Sequence, residues 1–300
     1  MRLKSFKFYS PSSLGEALEL LKQNKGNAKL LAGGTDLVLQ MKRKVVTPEV
    51  IISLLEIDEL RRIEKVEGAL RVGATVTHST LENSELLHDG FQILSSSAKK
   101  VGSPQVRNRG TLGGNLCNAS PAADTSPAML VLGAQVYVVS QEGERNIPID
   151  LFFTGPGSCA IEEAEILKDV IIPEQPPETL GVYLKLGRRR GMDVALASVA
   201  VLVMFEGKGE ASIRRCRIGL GSVSPTPIRA KRAEEFLRGR VLEEKVIQEA
   251  GEYVQSECCP ISDIRASAEY RKEMVRVLCV RAMKQLMGVR CPNLLRGKYE

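Results

Sequence analysis

Two short stretches, Ala32-Gly33-Gly34-Thr35-Asp36 and Thr111-Leu112-Gly113-Gly114-Asn115, have the residue types and spacing to do chemistry. Glycine reaches φ > 0 and leaves the main chain open to close approach, because it has no Cβ. A run of such residues after a strand can aim successive N–H groups into one cavity, which suits a phosphate or diphosphate. Each stretch also carries a hydroxyl beside its glycines, Thr35 in one and Thr111 in the other. Neither fits Gly-x-Gly-x-x-Gly or Gly-x-x-x-x-Gly-Lys-Ser/Thr, which disfavours a Rossmann dinucleotide site and a P-loop. A single Gly-Gly is more readily a tight turn, and two in one domain bring the two readings level. The residues alone leave both readings open, tight turns or an anion site.

Other chemistry is sparse. The seven Cys (117, 159, 216, 258, 259, 279 and 291) include no Cys-x-x-Cys, and His78 and His88 cannot complete a zinc set at finger spacing. Reduced thiols, most of them small buried groups, are the expectation, with no metal site. Both histidines are assigned to structure or solvent. Forty-two Lys and Arg against 36 Asp and Glu give a net charge of +6, too small and too dispersed for a nucleic-acid binder. Aromatics make up 4% of the residues and Trp is absent, so bases would find little to stack on. The N-terminus lacks an apolar signal core, and the longest apolar stretch, Val194 to Phe205, is too short to span a bilayer. A cytoplasmic protein without a membrane span is expected.

The chain has 300 residues, 43% of them hydrophobic, enough for two domains with real cores. Ser13-Leu14-Gly15-Glu16 reads as a capping box opening an amphipathic helix that Gly26 ends. Ala28 to Ala32 and Ile51 to Leu54 read as buried strands, and Glu67-Gly68 as a hairpin turn. Helices are expected around Thr80 to Leu87 and Gln92 to Val101. Gly102 to Ser126 reads as a long polar loop, and such loops tend to be functional. Strands at Gln135 to Ser140 and Glu165 to Ile172 lead to Pro173-Glu174-Gln175-Pro176-Pro177. Three prolines in five residues place a domain boundary there. Beyond it come strands at Val182 to Leu186, Ala197 to Phe205 and Ile213 to Leu220, with a turn at Gly207-Lys208-Gly209. Helices follow at Arg229 to Leu237, Glu243 to Val254 and Ser267 to Met287. Strands first and helices later predict an α+β unit.

Longer strings are more specific than either glycine pair. Leu30-Leu31-Ala32-Gly33-Gly34-Thr35-Asp36-Leu37 resembles the first flavin-binding motif of the FAD subunits of molybdenum hydroxylases, the xanthine dehydrogenase and carbon monoxide dehydrogenase medium-subunit family. Arg107 to Pro127, containing Gly110-Thr111-Leu112-Gly113-Gly114-Asn115 and Asp124, resembles its second motif at nearly every position. Phe152-Phe153-Thr154-Gly155, Glu165-Ile166-Leu167 and Tyr183-Leu184-Lys185-Leu186-Gly187-Arg188-Arg189-Arg190 follow in the family order. Ser262 to Arg271 is similar to the signature of its C-terminal domain.

The resemblance implies an α+β, two-domain FAD-binding fold of the vanillyl-alcohol oxidase (PCMH) type with a C-terminal α+β domain. The FAD-binding domain would span 1–173 as two α+β subdomains, the C-terminal domain 178–290, and a tail 291–300. It further implies that Leu30 to Leu37 and Thr111 to Asn115 wrap the FAD diphosphate. Asp124 matches a position bonding the cofactor's sugar portion, although its spacing before Ser126-Pro127 equally fits a helix N-cap. Leu167 and Lys185 match positions lining the flavin ring, where a lysine would stabilise negative charge. On its residues alone Lys185 reads as a solvated strand lysine. Val101 falls where some relatives place an aromatic against the flavin. No catalytic residue is singled out. Arg188 to Arg190 reads as a solvated basic patch, with partner docking the sharper alternative.

The implied function is an electron-transfer subunit. It would take electrons from two [2Fe-2S] clusters in a small partner subunit, fed by a molybdenum cofactor in a large one. It would pass them to NAD, a quinone or oxygen. The alternative is a stand-alone FAD-dependent oxidoreductase of the same fold acting directly on a small molecule.

Overall fold

A computed structural model describes residues 3–189, 191–207 and 211–290. Arg190, most of the turn expected at Gly207-Lys208-Gly209, and the 291–300 tail lie outside the described residues. The first elements are β1 (Lys7–Tyr9), α1 (Leu14–Gln23), β2 (Ala28–Leu31), α2 (Leu37–Lys42) and β3 (Val50–Ser53). Their strands form a parallel sheet in the order β1-β3-β2. Parallel neighbours need crossovers, and α1 and α2 supply them. The capping box forms in part: Ser13 Oγ accepts from Glu16 N, whereas Glu16 Oε2 accepts from Ser12 N, one residue before the cap, rather than from Ser13 N. Leu14, Ala17 and Leu21 on one face of α1 are buried against β3.

Next come β4 (Ile63–Val66), β5 (Ala69–Gly73), α3 (His78–Asn83), α4 (Gln92–Ala98), α5 (Pro104–Arg107), α6 (Leu112–Cys117) and α7 (Ser126–Leu132). They are followed by β6 (Gln135–Ser140), β7 (Gly143–Pro148), α8 (Ile149–Phe152), β8 (Phe153–Gly155), β9 (Ser158–Cys159) and β10 (Ile166–Pro173). An antiparallel sheet runs β4-β5-β10-β6-β7, with β8 and β9 as a separate hairpin. The β4–β5 turn falls at Glu67-Gly68, where Gly68 takes φ +67. All of α7 is buried. An all-round apolar helix belongs at the centre of a molecule, and α7 packs between this sheet and the next.

The long loop expected from Gly102 to Ser126 is instead broken by two helices, α5 and α6. Ser103 caps the first by accepting from Val106 N, and Thr111 caps the second by accepting from Gly114 N at 3.0 Å. Gly113-Gly114 is therefore the first turn of a helix. Glycine has a low helix propensity, and the Thr111 cap overrides it.

The remaining elements are β11 (Thr179–Leu186), β12 (Ala197–Phe205), β13 (Ile213–Gly221), β14 (Ile228–Arg229), α9 (Lys231–Leu237), α10 (Glu244–Ser256) and α11 (Ala268–Arg290). The strands form an antiparallel sheet in that order. Nearly every residue of β12 is buried, which is why it reads as a continuous apolar run. Val199, Val201 and Val203 share a core with α9–α11, while Ala200, Leu202 and Tyr183 join the core around α4 and α7. The Ser262–Arg271 signature serves this packing. Arg271 is buried and donates from Nη1 to Leu196 O and from Nη2 to Asp263 Oδ1. Hydrogen bonds from the Arg265 side chain, with others from Arg271 and backbone N–H groups, hold the Asp263 carboxyl well below the usual range.

No helix among the described residues is long and apolar enough to cross a membrane, and no group of three His, Cys, Asp or Glu is placed to hold a metal.

Candidate cofactor site

A cavity of about 710 Å³ opens where the first sheet meets α6 and the Met192–Val194 segment between β11 and β12. That volume is in the range of small-molecule and cofactor pockets. Its wall includes the whole first glycine stretch, Leu30, Leu31, Ala32, Gly33, Gly34, Thr35, Asp36 and Leu37. Thr111, Gly113, Gly114, Asn115, Val101, Asp124 and Leu167 face it from other elements. Leu112 and Lys185 do not line it. Leu112 is fully buried in the core beneath α6, and Lys185 stands behind Asp124. Sequence reasoning missed His78, Cys117, Cys159 and the Met192–Val194 segment, which also line it. The Tyr183-to-Arg190 string stops just short of the last of these.

The two glycine stretches present different chemistry. β2 ends at Leu31, and the backbone N–H groups of Ala32, Gly33, Gly34, Thr35, Asp36 and Leu37 have no acceptor among the described residues. An unbroken run of unpaired amides beside a cavity fits an anion, because the dipoles of successive N–H groups sum toward one concavity. In the second stretch the amides after Thr111 are already used. Leu112 N donates to Val76 O, Gly113 N to Ala74 O, Gly114 N to Thr111 Oγ1 and Asn115 N to Thr111 O.

The glycines themselves do a job the sequence did not reveal. A Cβ on Gly33 would lie 2.0 Å from Arg109 O, and one on Gly113 would lie 2.7 Å from Ala74 O. Both positions let backbone segments meet, which clasps the first stretch against Arg109-Gly110 and α6 against the chain after β5. Gly34 takes φ +75, the left-handed region in which a side chain is strained.

Asp124 is not a helix cap; Thr125 precedes α7, and the Asp124 carboxylate is shared across the molecule. Tyr183 Oη donates to its Oδ1 at 2.9 Å and Lys185 Nζ to its Oδ2 at 2.7 Å. Lys185 Nζ also donates to Lys100 O. Burial raises the Asp124 pKa, opposed by the charge and hydrogen bond of Lys185 and by Tyr183. Each carboxylate oxygen has a second lone pair, so Asp124 can still accept from a group in the cavity.

His88 is exposed, but His78 is buried at the cavity wall with no partner at Nδ1. Burial, helped by the charge of Arg107, lowers its pKa from 6.5 to about 4. The unfolded chain therefore binds more protons than the folded one between these two values. The His78 contribution is fully present above pH 6.5 and is lost as pH falls through 4, a loss of roughly 3 kcal/mol for a shift of this size. Asp169, raised to about 6 by burial, works in the opposite direction over an overlapping range. Comparison with His78→Gln separates the two. Urea midpoints at pH 7 and pH 4.5 should differ less in the variant than in the wild type, and an equal drop in both would remove His78 from the account.

Comparison with known proteins gives the family. Residues 4–175 match the family model described as the FAD binding domain in molybdopterin dehydrogenase, and residues 182–286 the CO dehydrogenase flavoprotein C-terminal domain. The chain is 32% identical to the carbon monoxide dehydrogenase medium chain of Hydrogenophaga pseudoflava, covering 93% of this chain and 96% of that one. It is 31% identical to the xanthine dehydrogenase FAD-binding subunit of Escherichia coli O157:H7, covering 94% and 96%. A solved carbon monoxide dehydrogenase from Hydrogenophaga pseudoflava superposes with a TM-score of 0.92 at 33% identity, covering 97% of this chain and 100% of the other. A solved quinoline 2-oxidoreductase from Pseudomonas putida 86 gives 0.89 at 31% identity, covering 95% and 98%. The chain belongs to the family of FAD-binding medium subunits of molybdenum hydroxylases, oxidoreductases of the xanthine dehydrogenase and carbon monoxide dehydrogenase type.

Proposed function

We propose that this chain holds FAD in the cavity with the diphosphate against the amides of Ala32 to Leu37, and that it is the electron-transfer subunit of a three-subunit hydroxylase. The run of unpaired amides is the observation that carries the reading. The diphosphate is the anionic part of FAD, and charge-assisted bonds from backbone N–H groups are stronger than neutral ones. Thr35 adds a hydroxyl, while Thr111 and Asn115 hold α6 in place beside it: Thr111 caps the helix and Asn115 Oδ1 accepts from Thr125. Asp124 is the acceptor for sugar hydroxyls, with its orientation set by Tyr183 and Lys185. Val101 and Leu167 supply apolar wall for the flavin ring. Lys185 acts through Asp124 as a positioning residue. The chain divides near residues 173–178 into a cofactor-binding part and a part that closes the cavity edge and meets partners.

FAD, when bound, exchanges electrons singly or in pairs. In the proposed complex those electrons come from two [2Fe-2S] clusters of a small subunit, fed by a molybdenum cofactor in a large subunit. They leave to NAD, a quinone or oxygen in the cytoplasm. Medium-chain relatives covered over nearly their whole length support this division of labour. Tagged chain co-expressed with a large molybdenum-cofactor subunit and a small iron–sulfur subunit should isolate a complex containing flavin, molybdenum and iron. Isolation of the chain alone, as a flavoprotein turning over a small molecule, would favour the stand-alone oxidoreductase instead.

A further inference from the structure

Cys117, in the last turn of α6, and Cys159, on β9, meet at the wall of the cavity. Both are free and half-buried. Cys159 Sγ lies 3.8 Å from Cys117 O, and Gly157 N donates to Ala119 O at 3.0 Å, tying the β8–β9 hairpin to the end of α6. The neighbouring Cys117 side chain, with help from the Ile161 N–H, lowers the Cys159 pKa to about 6, and Cys159 together with burial raises Cys117. The contrast with the other thiols is sharp. Burial raises Cys216, Cys258 and Cys279, the usual state of inert structural cysteines.

We propose that Cys117 and Cys159 form a reversible disulfide, which makes this wall of the cavity an oxidant-responsive site. The proposal goes beyond the flavin reading and stands without it. Hydrogen peroxide is the oxidant. The Cys159 thiolate attacks one peroxide oxygen; the O–O bond breaks, and the departing hydroxide takes a proton to become water. Cys159 is left as a sulfenic acid. The Cys117 sulfur then attacks the Cys159 sulfur; the S–O bond breaks, and the leaving hydroxyl departs as water with the Cys117 proton. The two thiols lose two electrons and the peroxide gains them, giving one disulfide and two waters. A thiol reductant reverses the change by exchange.

The test uses the full chain, oxidised with a slight excess of hydrogen peroxide and then denatured. Its titratable thiols should fall from the seven of the sequence to five. Peptide mapping should show a single Cys117–Cys159 cross-link, and dithiothreitol should restore all seven. Cys159→Ser should give no cross-link under the same treatment. Cys117→Ser, checked for an unchanged melting temperature, should leave Cys159 to proceed to sulfenic and sulfinic acid. Sulfinic acid at Cys159 in the wild type with Cys117 still open to alkylation would overturn the proposal. Loss of thiols through Cys259 between chains, with no Cys117–Cys159 cross-link, would also overturn it.

Discussion

Gly33→Ala should purify nearly free of flavin, with its FAD affinity weakened on the order of a hundredfold and its melting temperature lowered by roughly 5 °C. The added Cβ would lie 2.0 Å from Arg109 O and 2.7 Å from the Arg109 carbonyl carbon. Both are backbone atoms, so no side chain can swing aside. The clasp must open, and overpacking of this kind costs about 1–3 kcal/mol. Opening it also turns the amides of Ala32 to Leu37 out of register. Hydrogen bonds to charged groups are worth about 1.5–3 kcal/mol each, so losing one or two reaches the predicted affinity change. Gly15→Ala is the control. Gly15 lies in α1, has nothing within 4 Å of its would-be Cβ, and should keep full flavin content. Absorbance of the purified proteins and equilibrium titration with FAD measure both effects. Normal flavin content in Gly33→Ala would show that the clasp does not set the amides.

Lys185→Met should destabilise the chain by about 3–5 kcal/mol, the cost of leaving a buried carboxylate without its partner. Asp124 and Lys185 have side chains only 8% and 9% exposed, so solvent cannot replace the lost ammonium. The deficit should depend on pH in a defined direction. Removing Lys185 removes the largest influence that opposes burial, so the folded-state pKa of Asp124 rises further above the unfolded value of 3.8. The folded variant then holds a proton that the unfolded chain has released, and stability is lost as pH rises through that window. Urea unfolding should therefore show a larger deficit at pH 8 than at pH 5. Asp124→Asn combined with Lys185→Met should recover part of the loss, because no charge remains buried. An additive double variant would mean that the pair contributes nothing as a pair.

Much of this molecule is legible along the chain. The apolar run ending at Leu31 followed by Gly33-Gly34 marks a strand that stops at a cavity, and β12 announces its double burial through unbroken hydrophobicity. What escaped depends on partners distant in sequence. Nothing near Gly33 says that Arg109 O occupies its Cβ position, and nothing near Thr111 says that Val76 and Ala74 will consume the amides after it. Both glycine stretches therefore look equivalent as sequence, while only the first keeps its donors free. Lys185 reads as a solvated strand lysine until the fold brings Asp124 against it. β7 was missed because its residues are polar and mostly exposed, so no alternation marked it. His78 gave no signal beyond its type, and its role at the wall comes from α3 packing beside Gly110.

Hydrogen exchange of backbone amides with and without saturating FAD tests the central claim most directly. In the free chain Ala32 to Leu37 should exchange fast, because they lack acceptors, while Leu112 to Asn115 should already be protected. With FAD the first set should slow by at least about a hundredfold, the effect of new bonds to a charged acceptor, and the second set should change little. Unchanged exchange across Ala32 to Leu37 at saturating FAD would contradict the account.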